Sequence, residues 1–423
     1  MSIRPDDDVF VVRGGAPLRG TLRVPGAKNS VLKLIAAALL TDDPVELRDV
    51  PDIADVPVMA DLVAGVGVGV ERDDTTLRLH AATDPSSSPD PNLVASIRAS
   101  TSLLGPLVGR VRRARLALPG GDQIGRRGID LHLAGLTAMG AEVRRVDGGV
   151  EVDAPRLHGA RITLEFPSVG ATENLVMAAV LADGVSVIDN AAREPEIQDL
   201  CRMLVAMGAA IDGIGSATLT ISGVDRLEGV SWNVVPDRIQ IGTWIVAAAV
   251  TGGDVTIDNV RVSDLTLPLA KFRAAGVDIE EGQGSLRVRP GTPTPTNVVT
   301  LPYPGFPTDM QPQMMVLLSQ APGTSRCTEN VFESRFSFVD ELRRMGADIK
   351  IDGHHAVIRG GVPLTGAVLN ALDVRAGAAG VIAGLVASGE TVVTDIHHID
   401  RGYHEFDATM RALGADVRRE RRG

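Results

Sequence analysis

Met139-Gly140-Ala141-Glu142-Val143, Met207-Gly208-Ala209-Ala210-Ile211 and Met345-Gly346-Ala347-Asp348-Ile349 are one phrase written three times. It reads apolar residue, Gly, small residue, any residue, then Val or Ile. Looser copies stand at Val66-Gly67-Val68-Gly69-Val70, Ala275-Gly276-Val277-Asp278-Ile279 and Leu413-Gly414-Ala415-Asp416-Val417. The six glycines are 73, 68, 68, 70 and 68 residues apart, so units of about 70 residues fill the chain. Self-similarity at a fixed period decides the architecture before any single motif does. Each phrase predicts a helix closed by Gly at its C′ position, where φ > 0 carries no Cβ penalty, with a strand starting at once. The stretches ahead of the glycine, such as Phe338-Val339-Asp340-Glu341-Leu342-Arg343-Arg344, are charged on one side and predict outer helices.

A second element recurs with the same period. Leu34–Leu40, Leu103–Val108, Leu175–Val180, Trp244–Ala249, Met315–Leu318 and Val381–Val386 are apolar all round, which predicts helices buried on every side. Each is followed by a turn and a β-rich run, as in Gly184-Val185-Ser186-Val187-Ile188. The expected fold is therefore α/β, with six internal repeats divided three and three between two similar domains.

The residues just before the buried helices are where chemistry should gather, because a helix N-terminus offers unpaired N–H groups and partial positive charge to an anion. They are Gly26-Ala27-Lys28-Asn29-Ser30, Arg98-Ala99-Ser100, Ser168-Val169-Gly170-Ala171-Thr172, Asp237-Arg238, Pro307-Thr308-Asp309-Met310-Gln311 and Asp373-Val374-Arg375. Pseudo-symmetry predicts that the two sets of three face a shared cleft. The four cations among them suit a small, highly charged anion.

Composition narrows the function further. Lys plus Arg is 42 and Asp plus Glu is 53, a formal balance of −11, so nucleic acid and anionic membrane are not expected as partners. Two cysteines in 423 residues, Cys201 and Cys327, exclude a disulfide framework and a cysteine-rich zinc site. The acidic stretch Met1–Asp8 has no apolar core of a secretory signal, and no apolar run is long enough for a membrane span. A soluble cytoplasmic protein is expected. Gly65-Val66-Gly67-Val68-Gly69 falls on a helix-to-strand turn rather than opening a helix, so it is not a dinucleotide fingerprint. No GxxxxGK[ST], HExxH or GxSxG occurs. His354-His355 and His397-His398 are expected in strands, where neighbouring side chains diverge, which argues against joint metal ligation.

Three sites are open to two readings on the residues alone. The loop Leu118-Pro119-Gly120-Gly121-Asp122-Gln123-Ile124-Gly125-Arg126-Arg127-Gly128-Ile129-Asp130-Leu131-His132 is either a charged mobile lid or plain Gly-Gly-Asp turn chemistry, with Arg126 a solvated surface residue. Asp309 is either a reacting acid or an ordinary acid at a helix start. Arg401 either binds an anion or pairs with Asp400.

Together these segments, with Asn190-Ala191-Ala192-Arg193-Glu194-Pro195-Glu196, Glu333-Ser334-Arg335-Phe336 and His398-Ile399-Asp400-Arg401-Gly402-Tyr403, resemble the enolpyruvyltransferase family in order and over essentially the whole chain. The resemblance implies a two-domain inside-out α/β barrel. One domain would span residues 28–239 and the other residues 1–27 with 240–423, closing around the acceptor. It implies transfer of enolpyruvate from phosphoenolpyruvate to the 3-hydroxyl of UDP-N-acetylglucosamine through a tetrahedral ketal, an early step of peptidoglycan synthesis, with no metal or organic cofactor. By match, Lys28, Arg127 and Arg401 would hold the phosphate, and Arg335 and Arg375 the carboxylate. Asn29, Arg98, Arg127, Ile129, Asp130, Leu131, Ser168, Val169, Gly170, Asp309 and Val331 would line the UDP-sugar site, with Asp309 as base. Lys28, Asp122, Asp309 and Arg401 make up the expected catalytic set. Asp122 stands where most members have a cysteine, which implies resistance to fosfomycin. Gly128 and Phe166-Pro167 also depart from the common pattern, leaving UMP and shikimate 3-phosphate as alternative acceptors and a silent UDP-sugar sensor as the alternative from another class.

Overall fold

The computed structural model describes residues 8–421 apart from Gln123 and Arg126. The expectations for Met1–Asp7 and for Arg126 lie outside the described residues. The chain divides into two units. The first comprises Gly26–Gly121 and Arg127–Val235, and the second Met1–Pro25, Asp122–Arg126 and Pro236–Gly423. Each has its own hydrophobic core, one drawn from residues 31–234 and the other from residues 10–24 and 239–417.

All six repeat glycines adopt positive φ, at +104° for Gly67, +94° for Gly140, +103° for Gly208, +84° for Gly276, +94° for Gly346 and +98° for Gly414. The backbone around five of them forms the paired bonds of a Schellman C-cap: at Gly140 its N–H donates to Thr137 and the Ala141 N–H to Leu136. The same pair recurs at Gly208, Gly276, Gly346 and Gly414. Each amphipathic helix ends there: Asp55–Gly65, Asp130–Ala138, Pro195–Ala206, Thr266–Ala274, Val339–Arg344 and Phe406–Ala412.

Each repeat contributes one sheet, three to a unit. In the third, Arg161–Thr163 runs parallel to Val185–Asp189, which pairs antiparallel with Thr218–Ser222, which pairs antiparallel with Ala210–Asp212. Four of the other sheets repeat this order. The second repeat has three strands, and the place of the fourth is taken by one backbone bond from Arg115 to Ser87. Chain order does not follow space at the seams: Asp8–Arg13 lies between Glu390–Thr394 and Asp416–Arg421 in the sixth repeat's sheet.

The buried helices lie against one another in the middle of each unit. In the second unit these are Arg238–Val250, Gln311–Gln320 and Val374–Gly384, and in the first Lys28–Ala37 and Val169–Ala179 with the segment 98–111. That segment departs from expectation. It is not one regular helix but a 3₁₀ turn Arg98–Leu103, a short α piece Leu104–Pro106 and a π turn Leu107–Val111. Pro106 lacks the N–H that a continuous ladder needs, and a Cβ on Gly105 would fall 2.4 Å from the carbonyl oxygen of Asn174. Among the described residues no helix is long and apolar enough to cross a membrane.

Candidate active site

In the first unit the helix N-termini are wired to buried acids. Lys28 opens helix Lys28–Ala37, and its Nζ lies 2.8 Å from Asp55 Oδ2 with both side chains buried. Ser30 Oγ donates to Asp199 Oδ2 at 2.6 Å, and Asp199 also accepts from Trp232 Nε1 and the Val235 N–H. Glu173 reaches all three repeats of the unit, since its own helix belongs to the third, Lys33 Nζ approaches at 2.7 Å from the first, and Ser102 Oγ donates to it from the second. Buried charges survive only when paired and hydrogen-bonded, so these contacts fix the helix starts relative to one another.

Around that frame, Ser168 caps helix Val169–Ala179 by accepting from the Ala171 N–H at 3.2 Å. Gly170 lies against the ring of buried His132, which a Cβ there would meet at 3.1 Å. His132 Nδ1 is 3.0 Å from Asn174 Nδ2, and burial pushes its imidazole down to about 4, so the ring is neutral. Arg98 donates to the carbonyl oxygens of Arg127 and Gly128. Burial first, and the charge of Arg127 second, draw its guanidinium down to about 10. Asn29, Gly128 and Asp130 are exposed, Ile129 is buried, and Leu131 and Val169 are half-buried.

The second unit places the remaining cations around carboxylates. Asp309 lies in the 3₁₀ turn Thr308–Met310 ahead of helix Gln311–Gln320, and it does not cap that helix. Its Oδ1 is 2.7 Å from Arg335 Nη2 and its Oδ2 is 3.5 Å from Arg375 Nε. Arg335 also donates to the Thr308 carbonyl at 3.2 Å, and its Nη1 lies 3.8 Å from Asp373 Oδ1. Asp373 caps helix Val374–Gly384 through the N–H groups of Arg375 and Ala376. Burial works against the Arg375 charge, but Tyr403, Asp309 and Asp237 more than offset it and hold the guanidinium protonated well above its ordinary range. Glu329 accepts from the N–H groups of Val331 and Phe332, which shapes the Val331 turn.

Arg401 forms an ion pair with Asp122, while Asp400 pairs with Arg419 instead. His398 Nδ1 is 3.9 Å from the same Asp122 oxygen, and burial, then His397, lowers its imidazole. His397 and His398 lie in the short helix His397–Asp400, not in a strand, and their rings stand side by side 4.2 Å apart. The rings of His354 and His355 are 4.0 Å apart. The expected divergence of these pairs is thus overturned, because a helical turn and a strand start both let neighbouring rings lie side by side, tilted by 36° and 41°. Among the described residues no group of three or more His, Cys, Asp or Glu is placed to hold a metal ion.

The expected residues therefore fall into two groups. Lys28, Asn29, Arg98, Arg127, Ile129, Asp130, Leu131, Ser168, Val169 and Gly170 belong to the first unit. Asp122, Asp309, Val331, Arg335, Arg375 and Arg401 belong to the second, where Arg335 and Arg375 converge on Asp309 and Arg401 meets Asp122. Asp55, Glu173, His132, Asp373 and Tyr403 were not anticipated as partners. Asp373 and Tyr403 sit inside segments quoted above, but nothing in their spacing shows what they touch.

The sequence matches the EPSP synthase (3-phosphoshikimate 1-carboxyvinyltransferase) family over residues 12–410. A protein of Corynebacterium jeikeium named UDP-N-acetylglucosamine 1-carboxyvinyltransferase is 51% identical, over 98% of this chain and 100% of its own. One of the same name from Mycobacterium tuberculosis is 51% identical over 97% and 98%. Among solved structures, the enolpyruvyl transferase NikO from Streptomyces tendae superposes with a TM-score of 0.91 at 25% identity, covering 99% of this chain and 100% of that one. EPSP synthase from Acinetobacter baumannii superposes at 0.78 with 18% identity over 98% and 100%, a likeness of fold alone.

Proposed function

Because the chain belongs to the EPSP synthase family of carboxyvinyltransferases, we propose that it transfers the enolpyruvyl group of phosphoenolpyruvate to the 3-hydroxyl of UDP-N-acetylglucosamine and releases phosphate. The relatives that share half of its residues over nearly their whole length bear the name of that activity. The carrying structural observation is the convergence of Arg335 and Arg375 on one carboxylate, that of Asp309. Two arginines on one carboxylate form a recognition site for a carboxylate ligand, and phosphoenolpyruvate brings one.

In this reading Arg335 and Arg375 take the substrate carboxylate, and Lys28, Arg127 and Arg401 its phosphate. Asn29, Arg98, Arg127, Ile129 with Asp130 and Leu131 at the start of helix Asp130–Ala138, Ser168–Gly170 and Val331 hold the UDP-sugar. Asp309 accepts the proton of the sugar hydroxyl as its oxygen bonds to C2 of phosphoenolpyruvate. Asp122 supplies a proton to C3, completing the tetrahedral ketal. Loss of a C3 proton then restores the double bond as the C2–O bond to phosphate breaks. Asp122 is placed for this by its ion pair with Arg401, one of the residues assigned to the phosphate. The arginines and lysine neutralise charge throughout, so the reading calls on no metal or cofactor. A cytoplasmic location and a part in peptidoglycan synthesis go with this activity.

The test is phosphate release from phosphoenolpyruvate with UDP-N-acetylglucosamine, UMP and shikimate 3-phosphate offered separately, with product mass. Release with UDP-N-acetylglucosamine and a product heavier by one enolpyruvyl group is the expected result. Release with UMP or shikimate 3-phosphate alone would keep the chemistry and replace the acceptor. Silence with all three, despite tight UDP-sugar binding, would turn the protein into a sensor.

A further inference from the structure

Under Arg375 lies a buried chain of hydroxyls whose proton directions follow by elimination. Arg375 Nη1 is 3.4 Å from Tyr403 Oη, and a guanidinium only donates, so the phenol oxygen accepts. Tyr403 Oη is 2.8 Å from Thr243 Oγ1, a contact in which either oxygen has a proton to give. Thr243 Oγ1 is also 3.0 Å from the carbonyl oxygen of Ile239, which has none. The single Thr243 proton therefore goes to Ile239, and Tyr403 must donate to Thr243. Gln313 Nε2 donates to Thr243 Oγ1 at 3.0 Å and closes the set. Thr243, Gln313 and Arg375 sit on the central helices of the fourth, fifth and sixth repeats, and Tyr403 follows the short helix His397–Asp400.

We infer that Tyr403 is a positioning residue for phosphoenolpyruvate: its lone pair, aimed by Thr243, fixes the plane of the Arg375 guanidinium for the substrate carboxylate. The inference rests on the assignment of Arg375 proposed above. Arg375 is buried, with its Nε edge 3.5 Å from Asp309 and its Nη1 held by Tyr403. Its Cζ lies 5.7 Å from the centroid of the Tyr403 ring, within cation–π range, and Phe406 packs on that ring at 4.8 Å. Without the hydroxyl, Nη1 loses its acceptor in a place water does not reach. The guanidinium then gains most by turning wholly toward Asp309, which both withdraws it from the ligand and ties up the base.

Steady-state kinetics of Tyr403→Phe, Thr243→Val and Thr243→Ser test this. Loss of a hydrogen bond to a charged group is worth about tenfold or more in binding. KM for phosphoenolpyruvate should rise by about that factor in Tyr403→Phe and in Thr243→Val, with KM for UDP-N-acetylglucosamine held within about twofold. Thr243→Ser keeps the aiming hydroxyl and should behave as wild type. A purely structural role would raise both KM values together, or give the two Thr243 variants equal defects, and either result overturns the inference. Should Tyr403→Phe fail to fold, the two Thr243 variants carry the test alone. If the wild type releases no phosphate with UDP-N-acetylglucosamine, the activity proposed above falls, and calorimetry with phosphoenolpyruvate alone still decides about Tyr403. About tenfold weaker binding by Tyr403→Phe sustains the inference, equal binding sinks it, and a wild type that binds none sinks both.

Discussion

The carboxylate of Asp309 is held 2.7 Å from the guanidinium of Arg335. The same carboxylate lies 3.5 Å from Arg375, so the two arginines assigned to the substrate carboxylate are engaged by one the protein supplies. In the proposed activity, a phosphoenolpyruvate molecule that takes these arginines must displace Asp309 and free its carboxylate oxygens for the hydroxyl of the other substrate. In that activity, binding of one substrate and release of the base for the other would thus be one exchange of partners.

Asp309→Asn separates the two halves of that exchange. The amide neither accepts the hydroxyl proton nor competes for Arg335 and Arg375 as an anion. Turnover should fall by roughly 10²–10⁴, the usual worth of a general base. Phosphoenolpyruvate alone, measured by calorimetry, should bind more tightly than to wild type. Weaker binding would show that Asp309 organises the arginines and does not compete with the ligand.

Asp122 predicts the response to fosfomycin, an epoxide that alkylates a thiolate. The carboxylate paired with Arg401 is a poor nucleophile toward an epoxide. The two thiols of the chain offer no substitute: Cys201 and Cys327 are buried, and burial pushes Cys201 up to about 12 and Cys327 higher still. The wild type should show no time-dependent inactivation. Asp122→Cys should acquire it, because Arg401 favours the thiolate. Inactivation of the wild type that disappears in Asp122→Ala would reverse the assignment.

These sites differ in how far the sequence exposes them. The repeat was legible because a C-cap needs one residue type at one place, and all six glycines that satisfy it have φ between +84° and +104°. A second periodic signal passed unread: Asp49, Asn190, Asn259 and Asp395 follow equivalent strands with φ between +54° and +62°. Asn190 and Asn259 also donate to the carbonyls of Leu164 and Val24. Arg375 and Asp309 could be nominated from their places at helix starts. Their mutual approach and the support from Tyr403 could not, because the contacts join the fifth and sixth repeats and no spacing along the chain encodes them. The break at Gly105-Pro106 was visible as residues but was outweighed by the apolar run around it.

His132 sets a pH limit on the stability of the first unit. Its folded pKa of about 4 lies below the ordinary imidazole value of 6.5, burial being the main cause. Between these values the unfolded chain binds a proton that the folded one does not, so stability rises with pH there. The contribution is complete above about 6.5 and is lost as pH falls toward 4, amounting to about 3 kcal/mol. Urea denaturation at steps from pH 4 to pH 8 should show this slope, and His132→Gln should flatten it. An equal slope in the variant would assign the acid sensitivity to other groups.

The C-cap glycines allow backbone strain and steric clash to be measured apart. Gly208 has φ +103° and open space where a Cβ would go, whereas Gly276, at +84°, would set a Cβ 1.9 Å from the Thr292 carbonyl oxygen. Gly208→Ala therefore meets only the conformational penalty of an L-residue at positive φ, about 1–2 kcal/mol. Gly276→Ala adds the displacement of a backbone carbonyl and should cost distinctly more. Gly208→Asn should recover part of the loss, since Asn tolerates the left-handed region better than Ala. Gly208 ends an outer helix and Gly276 lies in the other unit, so thermal melts of Gly208→Ala and Gly276→Ala should report separate transitions if the units unfold independently. Equal losses for the two Ala variants would show that the turn at Gly276 relaxes freely, and that the repeat is held by its sheets more than by its helix ends.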